Sequence, residues 1–281
     1  MCLLTIFVLL GAACLAQSPV GPPKLEGAVR HQYKHTDTRP LYLYSRAPAK
    51  SNSPHPAIVF FFGGGWKSGT TDQFDDQARH LTDRGMVSIL VDYRVASRDH
   101  STPFDSVRDA RSAVRWVRSH AAELQIDPTK IVASGGSAGG HLAGATAILN
   151  GIDDATDDLR VSPVPAALVL FNPVLDTTET GYGAAMIGTN AIDLSLTQHV
   201  KPGLPPIILF HGTADHTVPF ANALEFTRRV KAAGGDCRLV PFEGADHGFF
   251  NSPAFRKAAS TTVYEKVMHN VDDFLTRLGL E

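Results

Sequence analysis

The chain has 281 residues, 43% of them hydrophobic and 19% charged, with a formal charge of -2. Those values fit one soluble domain with a sizeable core and exclude fibrous and disordered classes. There is no basic block and no aromatic run interleaved with Lys or Arg, so no nucleic acid is expected as a partner, and small molecules are.

From the N-terminus, residues 3–10 form an apolar run interrupted only by Thr5, and Gly11-Ala12-Ala13-Cys14-Leu15-Ala16 offers small residues ahead of a Pro-rich stretch from Gln17. This predicts a signal peptide over 1–16, a leader over 17–30 and a single domain over 31–281. The apolar run is too short to span a bilayer, so the expectation is export, periplasmic or secreted, without stable membrane insertion after cleavage. A lipoprotein form on Cys14 is disfavoured, because Gly11 stands where an aliphatic residue is normally needed. Loss of Cys2 and Cys14 would leave Cys237, in a strand-like run, as a packed thiol with no internal disulfide.

Residues 31–46 alternate as an antiparallel pair broken near Arg39-Pro40. Apolar runs then predict strands over 57–62, 86–91, 130–134, 166–171, 206–210 and 238–242. Amphipathic patterns predict helices over 72–84, 103–123, 138–150, 220–233 and 254–280. This order implies an α/β fold with a mostly parallel central sheet and helices on both faces. Active sites of such sheets gather at the C-terminal strand ends.

Four strand ends carry chemistry. After the strand at 57–62, Gly63-Gly64-Gly65-Trp66 lets backbone N–H groups face a cleft without side chains in the way. After the strand at 130–134, Gly135-Gly136-Ser137-Ala138-Gly139 sets one serine in a sharp turn into a helix, which also supplies free N–H groups. Asp215 follows the strand at 206–210, and His247 follows the strand at 238–242. A serine hydroxyl becomes a nucleophile when a base accepts its proton, and a carboxylate holds that base in the right tautomer. Ser137, His247 and Asp215 suit those roles. Rival readings are His141 as base, Asp246 as carboxylate and Asp215 as a loop cap; His211 and His216 are expected to shape the acid's loop, and Asp246 to cap a turn.

The glycine triplet, the elbow, and the Asp and His after successive strands resemble the α/β-hydrolase superfamily. More narrowly, the chain is similar to hormone-sensitive-lipase-like esterases and their bacterial feruloyl-esterase and acetylxylan-esterase relatives, from about residue 57 onward. The resemblance also takes in Val91-Asp92-Tyr93-Arg94 and the helix start at Asp105-Ser106-Val107-Arg108-Asp109-Ala110. It implies Ser137 as nucleophile, Asp215 as acid, His247 as base, and Gly64, Gly65 and Ala138 as oxyanion-hole amides. The family usually has a loop-orienting His before the triplet; this chain has Phe62.

A short cap is expected over about 176–204. With Tyr182, Met186 and Ile187 it would leave an open or shallow acyl pocket that favours short acyl groups; Phe62, Trp66, Tyr182 and Phe249 are expected at the substrate pocket, and the resemblance implies acetyl or feruloyl esters of carbohydrates. Alternatives are a serine peptidase, an arylformamidase, or a non-catalytic binding protein on the same fold. No cofactor is expected. No metal is expected either: CxxC and HExxH spacings do not occur, and Asp153, Asp154, Asp157 and Asp158 read as a solvated turn.

Overall fold

The computed structural model describes residues 25–49 and 53–281. The expected signal peptide and the leader up to residue 24 lie outside the described residues. Eight strands form one sheet in the order β1-β2-β4-β3-β5-β6-β7-β8. They are β1 (Val29–His35), β2 (Pro40–Arg46), β3 (His55–Phe61), β4 (Val87–Val91), β5 (Ile126–Gly136), β6 (Ala167–Phe171), β7 (Ile207–Gly212) and β8 (Cys237–Phe242). The β1/β2 and β2/β4 pairs are antiparallel, and the pairs from β4 through β8 are parallel. Val29 and Arg30, assigned to the leader from sequence, already pair with Ser45 and Tyr44.

The helices are α1 (Asp75–Asp83), α2 (Ala96–Asp99), α3 (Pro103–Ser119), α4 (Ala138–Ile148), α5 (Ala184–Ile187), α6 (Ala191–Leu194), α7 (Phe220–Ala232) and α8 (Thr261–Arg277). Strand alternation decides which helix packs where. Val59, Phe61, Ile131, Ala133, Leu168, Leu170, Ile207 and Leu209 pack with α3, α4 and α7. Their neighbours Ile58, Phe60, Val132, Val169, Phe171, Ile208 and Phe210 pack with α1 and α8 on the other face. Strands β3 through β7 are thus covered on both sides, which explains their continuous apolar runs.

Local signals set the helix ends. The Thr102 side chain accepts from the Asp105 amide, the Asp105 carboxylate accepts from the Thr102 amide, and Pro103 occupies the first helical position of α3. Helix α4 is buried along its whole length, as a helix apolar on every side must be. The last helix starts at Thr261, capped by the Ser260 hydroxyl. The expected start at 254 is therefore too early: residues 243–260 instead loop over the C-terminal strand ends.

The edge hairpin is pinned by ion pairs. Lys34 Nζ lies 2.8 Å from Asp109 and 2.6 Å from Asp154. Arg111 and Arg115 both take Asp153 at 2.7 Å, and Arg115 takes Asp157 at 2.9 Å. The acidic stretch is therefore not the solvated turn expected: three of its four carboxylates are largely buried anchors, and Asp158 pairs with Arg160. Cys237 is buried in β8, and burial pushes its thiol up to about 11.

Candidate active site

Strand β5 delivers Ser137 to the end of the sheet, where its backbone takes φ 56° and ψ -120°. A non-glycine residue in that region costs of order 1–3 kcal/mol and persists only where the surroundings hold it. Here the Ser137 amide donates to the Phe171 carbonyl at 2.8 Å, and the Ser137 carbonyl accepts from the amides of His141 at 3.0 Å and Val174 at 3.1 Å. The flanking glycines are required sterically. A Cβ on Gly139 would lie 2.0 Å from the Phe61 carbonyl oxygen, and one on Gly136 2.3 Å from the Phe250 ring.

Asp215 is buried at the end of β7, held on every side. Its Oδ2 accepts from His247 Nδ1 at 2.7 Å and from Asn172 Nδ2 at 2.8 Å. Its Oδ1 accepts from the amides of Thr217 and Val218, both at 2.9 Å. Burial alone would raise this carboxyl, but the His211 ring 3.4 Å away and the hydrogen bonds from His247 and the Val218 amide outweigh it and hold the group well below the usual carboxylate range. An ionised Asp215 only accepts, so Nδ1 of His247 carries the proton and Nε2 is left free to accept one.

Ser137 and His247 line the same cleft, of about 280 Å³, with Gly63, Gly64, Gly65, Gln73, Tyr182, Thr217, Gly248, Phe250, Asn251 and Arg256. The amides of Gly64 and Gly65 have no acceptor among the described residues, and Ala138 opens α4, where the first N–H groups have no helical partner. The cleft thus joins a hydroxyl, a basic ring nitrogen and unpaired backbone donors, the parts acyl transfer needs.

Three expected pocket residues lie elsewhere. Phe62 is 1% exposed, its ring stacked on Tyr93 at 4.1 Å. Trp66 is also 1% exposed and meets His141 edge-on at 5.1 Å. Phe249 stacks on Phe242 at 4.5 Å, and its neighbour Phe250 lines the cleft in its place. Of the four, Tyr182 lines the cleft.

The rival residues are otherwise occupied. His141 is fully buried with Nε2 donating to the Leu194 carbonyl at 2.8 Å, and burial pushes it down to about 4. Asp246 accepts from the amides of His247 and His216, a turn-capping position. His211 donates from Nε2 to the Val218 carbonyl at 3.0 Å and so steadies the acid's loop. The sequence reading passed over Gln73, Asn172 and Asn251, neutral amides in no catalytic motif; only Asn172 had a signal, its place directly after a buried strand.

Residues 42–178 match the BD-FAE family and residues 166–276 the Dienelactone hydrolase family. The chain is 45% identical to Thermogutta terrifontis esterase 2 phosphorylated by paraoxon, covering 93% of this chain and 98% of that one with a TM-score of 0.86. For the butyrate-bound form of the same esterase the values are 44%, 92%, 96% and 0.86. Among curated proteins, Esterase LipC of Mycobacterium tuberculosis is 29% identical over 83% of this chain, and isoprenylcysteine alpha-carbonyl methylesterase ICME of Arabidopsis thaliana is 28% identical over 74%. The chain spans 64% and 52% of the lengths of those two relatives.

Proposed function

Because this chain belongs to the α/β-hydrolase family of serine esterases, we propose that it hydrolyses short-chain acyl esters through an acyl-enzyme on Ser137, with acetyl or feruloyl esters of carbohydrates as the natural class. The observation that carries this reading is the His247–Asp215 bond at 2.7 Å, facing a cleft that Ser137 and the glycine loop share.

In the proposed mechanism, Ser137 Oγ attacks the ester carbonyl carbon while Nε2 of His247 takes the hydroxyl proton. Asp215 holds the Nδ1–H and stabilises the imidazolium. The carbonyl oxygen gains negative charge in the transition state and is met by the amides of Gly64, Gly65 and Ala138. Each such donor is worth about 3 kcal/mol of barrier. Collapse of the adduct breaks the ester C–O bond, His247 returns its proton to the leaving alkoxide, and the acyl group stays on Ser137. Water then gives a proton to His247 and attacks the acyl carbon; collapse breaks the bond to Ser137 Oγ, His247 returns the proton to Oγ, and the carboxylic acid leaves.

Support for a small acyl group comes from the modest volume of the cleft, about 280 Å³, and from the buried Phe250 ring that lines it and lies against Gly136. The structural relative was solved with propionate and with butyrate bound. The test is a series of p-nitrophenyl esters from acetyl to dodecanoyl. We expect kcat/KM to peak between acetyl and butyryl and to fall about tenfold or more by octanoyl, since each misfitting methylene costs about 1 kcal/mol or more. A maximum at decanoyl or longer would overturn the short-acyl reading. Ser137→Ala should lose about 10⁴-fold or more of kcat with the fold intact; retained turnover would overturn the nucleophile.

A further inference from the structure

The residue before the glycine triplet, Phe62, has no polar side-chain atom with which to hold the loop, yet the loop is held. Gln73, in the 3₁₀ turn Thr71–Phe74, accepts from the Gly63 amide through Oε1 at 2.6 Å. Its Nε2 donates to Asn251 Oδ1 at 2.9 Å, and Asn251 Nδ2 donates to the Gly248 carbonyl at 2.8 Å. The two ends of this relay are a backbone N–H and a backbone carbonyl, so the orientation of both side-chain amides between them is determined.

We infer that Gln73 and Asn251 form a strap that sets the oxyanion loop against the His247 loop, taking over in this chain the orienting task that Phe62 cannot perform. Gln73 occupies the Gly63 N–H and fixes the first peptide plane of the loop. The planes that follow carry the Gly64 and Gly65 amides, which have no other acceptor. On the far side, Asn251 fixes the carbonyl of the residue after His247. Three neighbours steady the frame without bridging the two loops: Tyr93 donates to the Phe62 carbonyl at 2.7 Å, Gln77 to the Phe250 carbonyl at 3.2 Å and Arg256 to the His247 carbonyl at 3.0 Å. Among the described residues, Gln73 and Asn251 are the side chains that tie one catalytic loop to the other. Their part is positioning. Donors aimed at the developing oxyanion work through alignment in the transition state, and a misplacement of about 1 Å costs about 100-fold.

The inference rests on the ester-hydrolase reading, and its test uses wild-type turnover of p-nitrophenyl butyrate as reference, so an inactive wild type condemns that reading and an active one isolates the strap. Gln73→Met keeps the length of the side chain and removes both bonds. We expect kcat to fall about 10- to 100-fold with KM within about twofold of wild type, and the affinity for phenylboronic acid, a tetrahedral-adduct mimic, to fall by a similar factor. Asn251→Leu should do the same, and the double variant should lose no more than the larger single loss, because one strap is cut only once. Unchanged kcat in Gln73→Met, a loss confined to KM with boronate affinity intact, or losses that multiply in the double variant would each overturn the inference. If Asn251→Leu fails to fold, the half-buried Gln73 decides alone.

Discussion

Asp215 shows how much of the site is carried by residues outside the Ser-His-Asp set. Its four donors come from three loops, and Asn172 is the one side chain among them besides His247. Asn172 also sits at φ 40°, a left-handed conformation that Asn and Asp tolerate better than other non-glycine residues. Asn172→Asp therefore preserves shape and backbone but turns a donor into an acceptor beside a carboxylate 2.8 Å away. Two carboxylates that close cannot both ionise. The expected outcome is a loss of about tenfold or more in kcat/KM at neutral pH, because the shared proton weakens the hold on His247. Steady-state kinetics alongside a melting curve checks it, and full activity would show that Asp215 needs no help from Asn172. At this scale Ser137, Asp215 and His247 were legible because each follows a strand at the same end of the sheet. The amides were not, since Gln73, Asn172 and Asn251 earn their places through contacts between loops far apart in sequence. Phe62, Trp66 and Phe249 misled for a related reason: adjacency to a catalytic loop says nothing about which way a side chain faces.

At the level of elements, the strand–turn–helix unit around Ser137 is the most constrained part of the chain. Gly139 packs its Cα against the carbonyls of Phe61 and Phe62, backbone of the strand that launches the oxyanion loop. Gly139→Ala cannot be relieved by a rotamer change. It should lower the melting temperature by about 5 °C or more and reduce activity with it, since β3 and the loop must move together. Calorimetry on the purified variant tests this; a melting temperature within 1 °C of wild type, a margin of about 0.3 kcal/mol, would contradict it. The strand and helix order was readable from apolar periodicity. The boundaries missed where tertiary contacts take over. Strand β5 starts at Ile126, earlier than the apolar run, because His55 pairs with Ile126 there. Residues 176–204 fold into α5, α6 and 3₁₀ turns too short for any periodic signal, organised around Asp176, whose carboxylate accepts from Thr178, Thr180 and Ser195.

For the whole molecule, the buried or half-buried carboxylates and the buried His141 set the response to acid. Burial alone would raise the carboxyls of Asp105, Asp153, Asp154 and Asp176, but their hydrogen bonds and ion pairs hold them below the ordinary range. A lowered folded-state value gives stability that is present above the unfolded value, about 3.9, and is lost as pH falls through the folded one. His141, depressed to about 4, has the same sign: its contribution is complete above about 6.5 and drains away as the unfolded chain takes up a proton the folded chain refuses. The melting temperature should therefore decline gently from about pH 6.5 to 4 and steeply below about 4. In His141→Leu the gentle stage should flatten. A wild-type melting temperature level down to pH 4 would remove His141 from this account.

The bond from His141 to the Leu194 carbonyl has one more consequence. It fastens residues 194–196 to the helix that follows Ser137, at a fully buried position, and Leu196 lies against Gly144 one turn further on. Moving residues 194–196 away from that helix would mean breaking a buried hydrogen bond and opening the Leu196–Gly144 contact together.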